Sequence, residues 1–564
     1  YQCSMAHSSR RYQTWQALAL HESVTPDKWC VNRADLKYLW KEVWKAIQAA
    51  EIQPPPDGSD EFDRVDQQYG PSIYTVNQQH IMPVTEEAGK VSWALMRHPD
   101  GLDCHLFISH AWQEEVFEFL SKVLHSWPAD ARHAWCCMLA NPQNLDIGAL
   151  LQSPSRSPFA LALQASTYVL VVPNRRRSIY TRLWCGYEAY RAQEEGKMIF
   201  IAKASHLKQI GAALASTILA GLVGIPIGAC TKPLKQDWPE ALLCLSAITV
   251  AAASATSNSN YCRIFCNRLG AFLCGFMLLF WHTLGSTAMI SEAFGKFYLP
   301  FVAQIVVVVT SLCFFLLLET DRVSDQITRL EALQLSNGFG GTITQAACSE
   351  AADKARIFQE IGDKTEAVDH AISVLLTAGM SSPTLTQVSR AGVDIQSAGH
   401  AEIALPFAAL MTGLFALARV CFQMMYLHTV FFAWIQLLCA GARLALVLVL
   451  WMSSRDERCF VLKMMAKLVA LDLLILGPCM VFWEVKPSGG SPHLLWFAVP
   501  LAVHTVMFAL ACLGMRRLLS LPCCGRCLLQ TLLARGISFF AGIATICRSD
   551  KGSATEGDTD TSTD

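Results

Sequence analysis

Three groups of residues in this chain have types and spacing that could do chemistry. The first brackets one stretch. Ser109, His110 and Trp112 lie in Cys104-His105-Leu106-Phe107-Ile108-Ser109-His110-Ala111-Trp112, and the stretch closes with Arg175-Arg176-Arg177 and Leu183-Trp184-Cys185-Gly186-Tyr187-Glu188. The second group is Arg419, Arg443, Asp472 and His504, each inside an apolar run. Ionisable residues are costly there and usually face a bundle interior or a cavity. Arg443 and Asp472 could pair across adjacent spans, with Gln423 and Gln436 as further polar lining. That suits a channel or transporter, and equally a structural buried pair. The third group is Cys523, Cys524 and Cys527, just past an apolar run, where S-palmitoylation is the chemistry expected. Neither this cluster nor Cys262 and Cys266 has a second Cys/His pair at finger-like spacing, so no metal is expected.

The elements around the first group alternate. His105–Ser109 reads as a strand, Gln113–His125 as an amphipathic helix and Ala134–Met138 as a short apolar run. Pro158–Ala165 reads as a helix, Thr167–Val172 as a buried strand, Arg182–Glu195 as a helix and Met198–Ala202 as a strand. Such alternation predicts an α/β fold with a parallel sheet and crossover helices. Functional loops then lie beyond the carboxyl ends of the strands, at Ser109-His110, Leu139–Asn144, Pro173-Asn174 and Ala202. Before this block, Asp35–Ala50 has the spacing of an amphipathic helix. Tyr74–Thr85 and Val91–Met96 read as short strands.

Of the 564 residues, 52% are hydrophobic and 16% charged, a deficit of charge for a soluble protein. The deficit is local, because residues 1–205 look like ordinary soluble sequence. Apolar runs long enough for a hydrocarbon core follow at Ile210–Cys230, Trp238–Ala253, Gly270–Ile290, Leu299–Leu318, Ala404–Tyr426, Val430–Met452, Leu468–Trp483 and Leu494–Gly514. An all-α polytopic membrane domain of about eight helices is therefore expected after the α/β block. With that block in the cytosol, the cytosolic connections hold Arg263, Arg268, Arg455, Arg458, Lys463, Lys467, Arg516, Arg517 and Arg526, whereas the other side holds Lys232, Lys235, Lys296 and Lys486. This positive-inside bias puts both ends in the cytosol. Gly224-Ile225-Pro226-Ile227-Gly228 is a GxxxG packing signal.

The expected organisation is an N-terminal segment (1–100), the α/β domain (101–205), a first group of four spans (209–318), a partly helical cytosolic connector (319–403), a second group of four (404–514), and a juxtamembrane Cys/Arg segment with a disordered acidic tail (515–564). Ala347–Leu376 in the connector has helical spacing and reads as a solvated helix pair. Net charge is −1, so no global field points to nucleic acid. The 22 cysteines are spread through polar and apolar stretches alike, unlike a secreted disulfide scaffold. The opening residues carry no signal-peptide pattern.

The order of features in the block resembles the Toll/interleukin-1 receptor (TIR) domain. Phe107-Ile108-Ser109 matches the family's first-strand signature, and Trp184-Cys185-Gly186-Tyr187-Glu188 its Trp-Cys-x-x-Glu helix. The whole chain is also similar to large multi-pass membrane proteins of dinoflagellate-type protists, through Ser109-His110-Ala111-Trp112 and Asn141-Pro142-Gln143-Asn144. The TIR resemblance implies a flavodoxin-like parallel sheet and signalling or assembly by self-association on a bilayer. Some TIR domains hydrolyse NAD with a glutamate in that helix. The resemblance therefore makes Glu188 the candidate catalytic residue and NAD a substrate, with no resident cofactor. Ser109, His110 and Trp112 would line the same cleft, and Arg175, Arg176 and Arg177 would meet the pyrophosphate. A transporter or channel regulated by the domain is the other reading. The chain departs from the pattern in three places, the first being the turn before Trp184, Arg175–Arg182, which is more basic than the family norm. Asn141–Ser157 shows no recognisable interaction loop, and the family's last strand–helix unit has no counterpart after Ala202, leaving residues 70–100 as the segment to complete the sheet.

Overall fold

The computed structural model describes residues 14–145, 152–231, 239–257, 259–288, 298–348, 350–396, 430–452, 495–522 and 524–533, with isolated residues between these stretches. The chain divides into two compact units. Unit one is Tyr1–Ser205 with Ile327–Thr386, and unit two is His206–Gln326 with Gln387–Asp564.

Unit one is a mixed α/β structure built on a six-stranded sheet of order β1-β3-β2-β4-β5-β6. Its strands are β1 (Val31–Asn32), β2 (Leu106–Ser109), β3 (His133–Cys136), β4 (Tyr168–Val171), β5 (Met198–Ile201) and β6 (Met380–Ser381). β3, β2, β4 and β5 run parallel, as the alternation predicts, while β1 and β6 pair antiparallel at the two edges. All four residues of β2 are buried, as expected of a central strand covered on both faces. Phe107 of β2 stacks on Trp135 of β3 with ring centroids 5.1 Å apart.

α1 (Thr14–Ser23) precedes β1, and α2 (Arg33–Gln48) follows it at once. Asn32 and Asp35 form a capping box at the start of α2, which fixes that helix where its apolar spacing predicts. Next come α3 (Ile73–Val76), a π-helical turn (Asn77–Ile81), α4 (Met82–Glu87) and α5 (Trp93–Arg97). These correct the strands expected at Tyr74–Thr85 and Val91–Met96. Ser72 caps α3 through Thr75 N, and Ser92 caps α5 through Leu95 N, each at 3.3 Å, so side-chain caps override short runs of β-prone residues. Residues 70–100 thus add no strand. The remaining helices around the sheet are α6 (Val116–Ser126), α7 (Cys137–Ala140), α8 (Pro158–Ala165) and α9 (Leu183–Glu194).

In unit two, α10 (Leu207–Cys230), α11 (Pro239–Thr256), α12 (Asn260–Ala288) and most of α13 (Tyr298–Ser336) form the first run of long helices. The glycine signal acts as a packing seam. A side chain at Gly224 would run into the Phe272 carbonyl of α12, and one at Gly228 into that of Phe276. Among the described residues two helices are long and apolar enough to cross a membrane, Leu207–Cys230 and Leu501–Leu519. Helices α11, α12, α13 and Val430–Met452 also fall on expected spans. Expected spans Ala404–Tyr426 and Leu468–Trp483 lie outside the described residues apart from isolated positions, as does the acidic tail.

The connector is not a solvated pair. α14 (Ala351–Ile361) and α15 (Thr365–Ala378) are separated at Gly362, and α16 (Pro383–Arg390) follows β6. Ile357, Ile361, Val368, Ile372 and Leu375 are buried in the core shared with the sheet, because α14 and α15 pack on α9. The end of α13 is tied to the same unit by Lys122 of α6, which is 1% exposed. Its ammonium donates to the Pro173 carbonyl at 3.0 Å and to Gln334 Oε1 at 3.1 Å, and pairs with Glu118 at 3.1 Å and Glu331 at 2.7 Å. Removing one side of a buried ion pair leaves uncompensated charge. Lys122→Ala is therefore expected to cost about 3 kcal/mol, read as a lower denaturation midpoint at unchanged slope. A wild-type midpoint would show the lysine to be dispensable.

Candidate functional site

β2 and β4 leave the same edge of the sheet, where the strand order reverses from β3 on one side to β4 on the other. In a parallel sheet this is the switch point at which ligand sites form. Ser109 is the last residue of β2 and His110 the next, so the strand delivers both side chains there. α9 begins beside it. Glu188, in the second turn of α9, faces Ser109, whose Oγ donates to Glu188 Oε2 at 2.5 Å.

Glu188 is 7% exposed. Burial pushes its carboxyl up to about 7, while the Ser109 hydrogen bond and the Arg182 guanidinium pull the other way. It therefore exchanges its proton near neutrality, the range an acid–base group needs. His110 behaves oppositely. Burial pushes it down to about 3, so it stays neutral. Its Nε2 lies 3.1 Å from Cys137 Sγ and 3.5 Å from Cys136 Sγ, and its Nδ1 3.4 Å from Ala111 O. A neutral ring with hydrogen on Nδ1 accepts the Cys137 S–H at Nε2. Burial holds Cys137 up at about 12, and Cys136 and Cys185 are raised as well, so these sulfurs remain thiols. They pack and hydrogen-bond; they are not nucleophiles.

The structure brings Ser109 to Glu188, whereas the His110 ring faces Cys136, Cys137 and Phe119. It brings Trp112 there through Cys137, whose sulfur the Trp112 side chain hydrogen-bonds, and Trp112 is half-buried against Tyr74 with centroids 5.4 Å apart. Two of the three arginines are engaged elsewhere. Arg175 lies over the Tyr69 ring at 4.1 Å, Arg176 pairs with Glu115 at 3.2 Å and with Asp60 at 3.7 Å, and Arg177 is exposed. The cation acting on Glu188 is Arg182, the residue before α9. Composition drew attention to the run of three and away from the lone arginine at the helix start. Glu114 is a second carboxyl absent from the sequence reading. It accepts from Ala111 N at 2.8 Å, its Oε2 is buried without a hydrogen-bond partner, and burial raises it well above the usual carboxylate range. Tyr180 Oη is likewise buried and unpartnered.

Of the other expected residues, His504 is buried within helix Leu495–Leu519, and Arg443 lies on helix Val430–Met452. Arg419 and Asp472 fall outside the described residues, so their pairing is not described, and Cys523 falls outside as well. Cys524 is exposed and Cys527 half-buried, at the start of helix Gly525–Leu533. Among the described residues no group of three or more His, Cys, Asp or Glu is arranged to hold a metal ion. Compared with protein-family models, curated proteins and solved structures, the chain matches none.

The raised Glu188 fixes the sign of a stability change. An acid whose folded value exceeds its unfolded one favours the fold when protonated. That stability is fully present below the usual carboxylate range, near 4.5, and is lost as pH rises through about 7. Thermal melts at about pH 5 and about pH 8 should show the loss in the wild type, and Glu188→Gln should remove up to about 3 kcal/mol of it. An equal loss in both proteins would put the ionisation elsewhere.

Proposed function

We propose that this chain is a membrane-tethered signalling protein whose cytosolic TIR-like domain cleaves the nicotinamide–ribose bond of NAD at Glu188. The observation that carries the reading is the Ser109–Glu188 hydrogen bond at the switch point, beside Arg182. Breaking that bond releases neutral nicotinamide and leaves oxocarbenium character on the ribose, which an ionised carboxylate at that face stabilises. Water then adds to the sugar carbon and loses a proton, giving ADP-ribose. Ser109 would hold the carboxylate oxygen in place, Trp112 would stack on a ring, and Arg182 would meet negative charge on the substrate.

Full-length protein in lipid vesicles should release nicotinamide from NAD, with a rate that rises as pH passes about 7 and Glu188 ionises. Glu188→Gln should lower the rate at least about 100-fold. A second reading has its own observation: Glu188 is 7% exposed and one of its oxygens is taken by Ser109. In that reading the pair is structural and the domain signals by assembly, possible on the bilayer through self-association of copies. No nicotinamide release, together with concentration-dependent association of the protein, would select it.

The helices Leu207–Cys230 and Leu501–Leu519 support insertion in a bilayer. The apolar runs of the sequence support about eight spans, and the Lys/Arg bias of the connections between them favours both ends in the cytosol. N-glycosylation acceptors introduced within 232–238 should be modified and those introduced at 257–259 should not. The reverse pattern would invert the topology.

A further inference from the structure

We propose that the strap of residues 337–348, which follows α13, is the positioning element of this site: it sets Arg182 against Glu188 and so makes the connector a control on the carboxyl. The inference rests on the reading of Glu188 as the working group. Ala347 carries the geometry. Its N–H donates to Thr181 O at 2.7 Å, and its carbonyl accepts from Leu183 N at 2.8 Å, so one strap residue grips the backbone on both sides of Arg182. Leu183 is the first residue of α9, and its N–H has no partner within the helix. The strap carbonyl supplies that partner where no side chain caps the helix.

Three more contacts hold the strap on the same turn. Ser178 N donates to Asn337 O at 2.7 Å. Phe339 lies against Tyr180, ring centroids 5.9 Å apart. Ile343, fully buried, sits over Gly186, where a β-carbon would come within 3.0 Å of its side chain. Glycine at 186 lets α9 approach the strap one turn from the candidate site. The strap is anchored in turn by α15, because Ile343 N donates to Asp369 Oδ1 at 2.8 Å. A movement of α15 or of the end of α13 therefore reaches the Arg182 backbone through a few short hydrogen bonds, one of them to the Asp369 side chain.

The groups that surround Glu188 are few. Ser109 comes from β2, Cys136 and Cys137 from the junction of β3 and α7, Tyr180 and Arg182 from the turn before α9, and Cys185 from α9 itself. Among the described residues Arg182 is the one cation acting there, so its placement, after burial and the Ser109 hydrogen bond, contributes to how readily the carboxyl ionises.

The test reads the carboxyl directly. In full-length protein in vesicles, the infrared carboxyl band of Glu188, assigned by subtracting the Glu188→Gln spectrum, is followed against pH. Arg182→Gln should move its midpoint upward by about one pH unit. Asp369→Ala, which frees the strap without touching the site, should move it in the same direction, and Asp369→Asn, which keeps an acceptor for Ile343 N, should restore the wild-type midpoint. Ile343→Val provides a milder version should Asp369→Ala fail to fold. A wild-type midpoint in the strap variants beside a shifted one in Arg182→Gln would overturn the proposal, as would an unshifted Arg182→Gln. Loss of melting temperature with an unmoved midpoint would mark the strap as merely structural. Because the readout needs no turnover, absence of NAD cleavage would sink the proposed activity and leave this question answerable.

Discussion

The open edge of β5 is the constraint on which the rest of unit one depends. Four parallel strands joined by crossover helices form a core with two unpaired edges, and an unpaired edge exposes a row of backbone donors and acceptors. The chain closes both edges with segments remote in sequence: Val31–Asn32 beside β3 and Met380–Ser381 beside β5. Each is two residues long. The second matters more, because to reach β5 the chain must return from the first run of apolar helices. Everything between α13 and β6 is thereby drawn onto the sheet. α14 and α15 bury their apolar faces against α9, and the strap lies across the turn that begins it. What looks in the sequence like a linker between two apolar regions is one wall of the α/β unit.

The same return explains the buried polar groups. Drawing α13 against α6 would strand Glu331 in the core without a counter-charge, and Lys122 supplies it while also satisfying the carbonyl of Pro173 at the end of β4. Glu360 of α14 does comparable work on the far side of α9. It accepts from the Tyr187 hydroxyl at 2.5 Å and from Ser155 N at 3.0 Å, so one carboxylate joins the catalytic-candidate helix to the segment before α8. Carboxylates hydrogen-bonded in this way, Glu331 buried and Glu360 half-buried, constrain geometry more than they add stability, since desolvation offsets much of the attraction. Their effect is to hold α9 in one orientation, and α9 carries both Arg182's neighbour residues and Glu188.

The parallel core was legible because it rests on local patterns. Runs such as Thr167–Val172 and Met198–Ala202 are short, apolar and bounded by helical spacing, and they appear as β4 and β5 with ends shifted by about one residue. The pairing of Ser109 with Glu188 was legible only as a resemblance, since no spacing rule connects a strand end to a helix 79 positions away. What could not be read was decided by tertiary contact. β1 and β6 are too short to show a period of two. The strap, with Gly338, Gly340 and Gly341, has the composition of a loop, and its order comes from backbone hydrogen bonds to residues 178–183. The helices at 73–97 turned on Ser72 and Ser92, caps that outweigh the β-prone residues following them.

The cations near the sheet edge show why composition misleads about a charged site. Arg175, Arg176 and Arg177 form the most basic run in unit one and attract attention as an anion cradle. Two of them already have partners, an aromatic face for Arg175 and two carboxylates for Arg176. The carboxylates offset the Arg176 charge, and all three side chains are exposed, so solvent screens their field. Arg182 is half-buried, and the groups acting on it are Cys185, Tyr74, Cys137 and Glu188, of which only Glu188 titrates near neutrality as an acid. In a low-dielectric pocket a single cation of this kind outweighs a run of solvated ones. The electrostatics of the candidate site therefore depend on where the backbone around residue 182 is held, and that backbone is hydrogen-bonded to a segment that enters the fold only after the first apolar helices.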